Sequence, residues 1–99
     1  MWLIIDDERT LGCDVIARTA EAGMEVLHSM SDCFECLCID HDLGPGKSGF
    51  YVIGWALDKN CLPDQVQIVS QNPVGAQNIR NLLKDAGYVS SDNINFFRS

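Results

Sequence analysis

The chain has 99 residues, a length that accommodates one domain and one core (1–99). An apolar fraction of 46% excludes wholesale disorder. Seven basic against fourteen acidic residues, a formal charge of −7, exclude a partner such as duplex nucleic acid or an anionic membrane surface. Acids can still hold a divalent cation, and a cation can hold a phosphate, so phosphorylated ligands remain open.

Met1 to Ile5 is a short apolar run stopped by Asp6 and Asp7, without the basic start or small-residue cleavage site of a secretory leader. No run approaches the eighteen or so apolar residues that a membrane span requires. The five cysteines, an odd number, are therefore expected to be thiols in a reducing cytoplasm.

Trp2 to Ile5 is too short for a helix and reads as a buried strand. Asp14 to Arg18 reads as a short second strand, and Thr19 can cap a helix from Ala20 to about Ser29, with Ala20, Met24 and Leu27 on one face. After a connection at 31–35, Cys36 to Ile39 forms a third strand ending in Asp40-His41-Asp42. The Gly- and Pro-rich segment Leu43 to Gly49 is a loop. A helix follows to about Asn60, with Phe50, Ile53 and Leu57 on its inner stripe. Gln65 to Val69 is a fourth strand. Asn72 and Pro73 then open a helix as cap and first residue, Ile79, Leu82, Leu83 and Ala86 form its apolar face, and Gly87 stops it. Ile94 to Phe97 closes the chain as a last strand.

Strands alternating with helices predict an α/β fold: three layers, flavodoxin-like, with a five-stranded parallel sheet of order 2-1-3-4-5. The eight residues between the first two strands leave too little chain for a full crossover, so the first helix is expected to be shortened to a loop or single turn.

In such a sheet, ligands bind beyond the carboxyl ends of the strands. Asp6 and Asp7 end the first strand, and Asp40 and Asp42 end or follow the third, its expected neighbour. Four carboxylates in one crevice raise one another's pKa unless a cation neutralises them. Oxygen ligands suit Mg²⁺, Mn²⁺ or Ca²⁺, so Asp6, Asp7, Asp40 and Asp42 are candidate metal ligands, with Mg²⁺ or Mn²⁺ favoured. The bland reading of the same residues is a set of solvated loop-edge acids.

His41, between two aspartates that would favour its protonated form, suits a general acid, or else merely orients a carboxylate. The helix end at Asn72 to Gly75 offers free N–H groups and a positive dipole to an anion, and Gly75 would admit a phosphate closely. Asn72 is cap, ligand contact or both, and Ser70 either donates to phosphate or ends the strand. Arg9 could clamp a phosphate or form an ordinary surface ion pair, and Lys47 could reach in from the lip. Gly44-Pro45-Gly46-Lys47-Ser48 invites a nucleotide P-loop reading, but that motif requires glycine where His41 stands. Cys33, Cys36 and Cys38 could suggest zinc, yet only His28 or His41 is available as a fourth ligand.

The segments LIIDDE (3–8) and LCID (37–40) resemble the receiver domain of response regulators. That resemblance implies cation binding by Asp6, Asp7 and Asp40 and phosphate contact by Ser70. The lysine-proline pair that ends the receiver's fifth strand has no counterpart in Ile94 to Ser99. Taken together, LIIDDER (3–9), ARTAEA (17–22), IDHDLG (39–44) with the following SG, and IVSQNPVGAQNI (68–79) resemble the cyclic-phosphate-processing receiver-like family. The resemblance carries over Asp6, Asp7, Arg9, Arg18, Asp40, His41, Asp42, Gly44, Ser70, Asn72 and Asn78. It departs at Val69, where the family usually has histidine.

The resemblance implies metal-dependent opening of a cyclic phosphate on a nucleotide or nucleotide-derived small molecule. Asp40, His41 and Ser70 would be catalytic, with Arg9, Arg18, Asn72 and Asn78 around the phosphate, joined there by Lys47 and Gly75 on the reading of the residues themselves. The alternatives are a module that captures such a ligand without turnover and a degenerate receiver acting through protein contacts.

Overall fold

The computed structural model describes residues 1–99. In chain order it contains β1 (Trp2–Ile5), β2 (Val15–Ala17), α1 (Ala20–Met30), a single 3-10 turn (Ser31–Cys33), β3 (Cys36–Ile39), α2 (Gly49–Lys59), β4 (Gln65–Ile68), α3 (Pro73–Asp85), β5 (Tyr88–Val89) and β6 (Asn95–Arg98). The helices begin where side chains can satisfy otherwise unpaired N–H groups. Thr19 accepts from the Ala22 N–H, Ser48 from Tyr51 and Asn72 from Gly75. No helix is long and apolar enough to cross a membrane.

The sheet is not the expected five-stranded parallel one. It has six strands in the order β2-β1-β3-β4-β6-β5. The first four run parallel, whereas β6 pairs antiparallel with both β4 and β5. The strand expected at the end of the chain is therefore present, but it returns between β4 and a short β5 that the sequence did not announce. Gly87, at φ 96°, lets the chain leave α3 and enter β5 directly, a conformation that costs glycine nothing.

The three-layer expectation also gives way. All three helices cover one face of the sheet, with α2 packed between α1 and α3. Right-handed crossovers explain this. The connections through α1, α2 and α3 all step in one direction across the sheet and so place their helices on the same side. Two steps run in the opposite direction: β5 to β6 is a hairpin, and β1 to β2 runs through Asp6 to Asp14 without any helix, the loop that the short connection led one to expect. The main core lies between Leu3, Ile5, Leu37, Ile39, Val66, Ile68 and Phe96 on the sheet and Leu27, Val52, Ile53, Ala56, Ile79 and Leu83 on the helices. On the helix-free face, Ile4, Cys36 and Cys38 form a small cluster flanked by Trp2, Cys13 and Val69.

Two expected helix faces shift slightly. In α2 the buried residues are Gly49, Val52, Ile53 and Ala56, while Phe50 is exposed. In α3, Ile79 and Leu83 are buried with Gly75 and Ala76, but Ala86 has left the helix and lies in solvent.

Candidate functional site

The parallel strands end in step. Ile5 is level with Ile39, and Ile39 with Ile68. The ladder continues one bond further, from Asp6 N–H to Ala17 O (3.1 Å), Asp40 N–H to Ile5 O (3.0 Å) and Val69 N–H to Ile39 O (3.0 Å). Asp6 and Asp40 are therefore fixed by backbone at the same height, beyond two adjacent strand ends. Oxygens of Asp6, Asp7 and Asp40 all lie within 4.8 Å of one another.

Their environments differ. Asp6 is fully buried and Asp40 nearly so, whereas Asp7 faces solvent. Asp6 Oδ1 accepts the N–H groups of Glu8 (2.9 Å) and Arg9 (3.1 Å), and Asp6 Oδ2 accepts Arg9 Nη1 at 2.7 Å. Burial by itself would raise the Asp6 carboxyl, but the Glu8 N–H and the Arg9 guanidinium outweigh it and hold its pKa below the ordinary value. Asp40 goes the other way. Burial first, then the neighbouring Asp6 charge, push its pKa up, and a hydrogen bond from Ser70 only partly opposes them.

Asp42 does not join that trio. It faces His41, whose Nδ1 stands 3.0 Å from Asp42 Oδ1, and both its oxygens accept the Asn72 amide at 3.3 Å. These hydrogen bonds, that with His41 foremost, hold the Asp42 carboxyl below its usual value. Because a carboxylate only accepts, the pairing places the imidazole proton on Nδ1 and leaves Nε2 available.

Gly75, expected to admit a phosphate, instead admits His41: a Cβ at position 75 would overlap the imidazole ring. The Asn72 cap also uses the Gly75 N–H, at 3.0 Å, and Ser70 Oγ accepts the Asn72 N–H at 3.1 Å. Much of the helix end proposed for an anion is thus occupied by the chain itself.

An open basin of about 270 Å³ lies over these groups, lined by Asp7, Glu8, Arg9, Asp40, Asp42, Gln71 and Asn72. Glu8 and Gln71 had no signal in the sequence beyond adjacency to residues that did. Arg18 lies behind the basin, its Nη1 donating to Asp6 O (3.2 Å) and Arg9 O (2.8 Å), so it braces the loop. Lys47 sits 5.4 Å over the Tyr51 ring, and Asn78 is exposed further along α3; neither lines the basin. A larger hollow of about 380 Å³ lies at the opposite strand ends, but its one basic residue, Arg98, is engaged with Leu62 O (2.7 Å), Tyr88 Oη (2.9 Å) and Asp64 (3.5 Å).

Helices docked on a largely parallel sheet, with an acidic trio at the carboxyl ends of β1 and β3, define a receiver-like α/β domain. The family model of the cyclic-phosphate processing receiver domain matches residues 1–85, and the chain belongs to that family. The matched stretch ends with α3, so it includes the whole acidic site and excludes the β5–β6 hairpin. No curated protein and no solved structure matches the chain.

Proposed function

We propose that the basin takes a small, nucleotide-like ligand bearing a cyclic phosphate and that the chain opens the ring by hydrolysis with the help of Mg²⁺ or Mn²⁺. The observation that carries this reading is the juxtaposition of two units: the Asp6–Asp7–Asp40 trio and the Asn72–Asp42–His41 relay. An all-oxygen donor set with one exposed member fits a hard divalent cation that keeps some of its water. Bound there, the cation would neutralise phosphate charge and acidify a water.

The remaining work falls to side chains. Asn72 holds Asp42, and Asp42 fixes the His41 tautomer and ring plane. When the ring carries a second proton, on Nε2, that proton can go to the departing alkoxide as the water oxygen bonds to phosphorus and one ring P–O bond breaks, leaving a phosphomonoester, while the proton of the attacking water passes to solvent. Ser70, beside Asp40 just past the end of β4, is placed to orient that carboxylate.

A second reading, capture without turnover, is favoured by Val69. The family usually has histidine there, and in this chain the position packs an apolar side chain against the cluster on the helix-free face. Phosphorus NMR on a panel of 2′,3′-cyclic and 1″,2″-cyclic phosphates, with Mg²⁺ or Mn²⁺, separates the two. New phosphomonoester signals are expected. Shifted signals without new species would mean capture, and unchanged spectra across the panel would overturn both.

A further inference from the structure

Arg9 stands where a cation would. Its Nη1 is 2.7 Å from Asp6 Oδ2 and 3.7 Å from Asp40 Oδ2, so one guanidinium spans the two buried members of the acidic trio. A wholly buried carboxylate such as Asp6 stays ionised only with a positive partner or strong donors beside it. Here the Glu8 and Arg9 N–H groups occupy Oδ1, and the guanidinium occupies Oδ2.

A divalent ion at this site would need the same Asp6 oxygen, or one immediately beside it. Mg²⁺ approaches carboxylate oxygens to about 2.0–2.1 Å, closer than a guanidinium does, and it brings two positive charges into contact with a third. Held against the same oxygens, the two cations repel one another strongly. Arg9 also has somewhere to go. Its side chain is 28% exposed and it lines the basin, so rotation about its own torsions carries the guanidinium into the space assigned to the phosphate.

We propose that Arg9 is the resident counter-ion of the acidic trio, and that a divalent cation binds only by displacing its guanidinium into the basin, where it becomes a phosphate ligand. The proposal rests on the cation reading above and adds an exchange to it. Metal entry releases the arginine, and a phosphate that holds the arginine in the basin favours metal entry in return.

The test is Mn²⁺ and Mg²⁺ binding, measured by calorimetry and by thermal melts in the absence of any phosphate, on the unaltered chain and on Arg9→Gln. Removing the competitor should tighten Mn²⁺ binding by roughly tenfold or more, the scale of a typical coupling between sites. The metal-free Arg9→Gln protein should melt lower than the unaltered chain and gain more on metal addition. Arg9→Lys, whose single ammonium cannot span both carboxylates as the guanidinium does, should bind Mn²⁺ more tightly than the unaltered chain, and it serves as the test if Arg9→Gln fails to fold; equal or weaker Mn²⁺ binding by Arg9→Lys would then overturn the displacement. Equal or weaker Mn²⁺ binding by Arg9→Gln would overturn the displacement while leaving the cation reading intact. No binding to either protein at millimolar metal would remove the cation reading and this proposal together.

Discussion

A methyl group at position 75 would occupy the space of the His41 imidazole. That contact could not be read from the sequence, where a glycine at a helix start beside an acidic loop suggested room for a phosphate. The motif indicated that Gly75 matters, but the partner sits 34 positions earlier in the chain and was visible only in three dimensions. Gly75→Ala is therefore an informative substitution. Alanine favours the helix by about 1 kcal/mol over glycine, whereas forcing a side chain into a filled space costs about 1–3 kcal/mol. The fold should survive with a small net loss, and His41 should be expelled from its place against α3. The imidazole proton resonances should shift, and turnover should fall by roughly 10² to 10⁴, the usual contribution of a positioned acid or base. Unchanged turnover despite shifted resonances would detach His41 from the chemistry. Arg9 teaches a similar lesson. Its spacing from Asp6 allowed either a phosphate ligand or a surface pair, and the outcome, a pair with a wholly buried acid, depends on burial that spacing alone does not report.

At the scale of elements, what was legible was whatever is local. The strand cores at β1, β3 and β4 are compact apolar or alternating runs, and the caps at Thr19 and Asn72 announce their helices by chemistry. The closing hairpin was not legible. Tyr88–Val89 is too short to show periodicity, and nothing in Asn95–Arg98 states whether its partner runs parallel or antiparallel. The turn between them has its own organiser. Asp92 Oδ1 accepts the N–H groups of Asn95 (2.8 Å) and Ile94 (2.9 Å) and the Ser90 hydroxyl (3.1 Å), while Oδ2 takes the Asn95 amide at 3.0 Å. These donors, the Asn95 N–H foremost, hold the Asp92 carboxyl far below its ordinary value. A depressed folded-state pKa gives stability that is intact above the unfolded value, about 3.9, and drains away as pH falls towards the folded one. Asp92→Ala should thus melt lower than the unaltered chain at neutral pH, and the gap should narrow as both are taken below about pH 4. A gap that stays constant through that range would show that the carboxylate charge contributes nothing to the hairpin.

At the scale of the whole molecule, the sheet is one-sided because every helical crossover steps the same way. That arrangement puts Asp6, Asp40 and Ser70 at one rim, and α3 closes over them with His41 beneath its first turn. The alternation of strands and helices in the sequence predicted this rim correctly, since it depends only on the order of β1, β3 and β4. The second face was mispredicted because layer number depends on the length of a single connection, Asp6 to Asp14. The rim also concentrates negative charge in a chain that already carries −7, and one guanidinium spanning Asp6 and Asp40 leaves Asp7 uncompensated.

A cation that binds the folded trio, and finds no such trio in the unfolded chain, must stabilise the fold by mass action. At a hundredfold excess over its dissociation constant the gain is about 2.7 kcal/mol. For a domain of this size each kcal/mol moves the melting midpoint by about 4–8 °C, so saturating Mg²⁺ or Mn²⁺ should raise it by roughly 10 °C or more. The dissociation constant in this relation already includes the cost of moving Arg9, so displacement changes the concentration required and not the size of the gain at a given excess. Monovalent salt at matched ionic strength should reproduce little of the rise, because screening relieves repulsion among exposed acids without reaching the two buried members of the trio. A midpoint that stays put up to millimolar Mg²⁺, Mn²⁺ and Ca²⁺ would mean that Arg9 alone neutralises Asp6 and Asp40, and that any phosphate in the basin must be held by side chains.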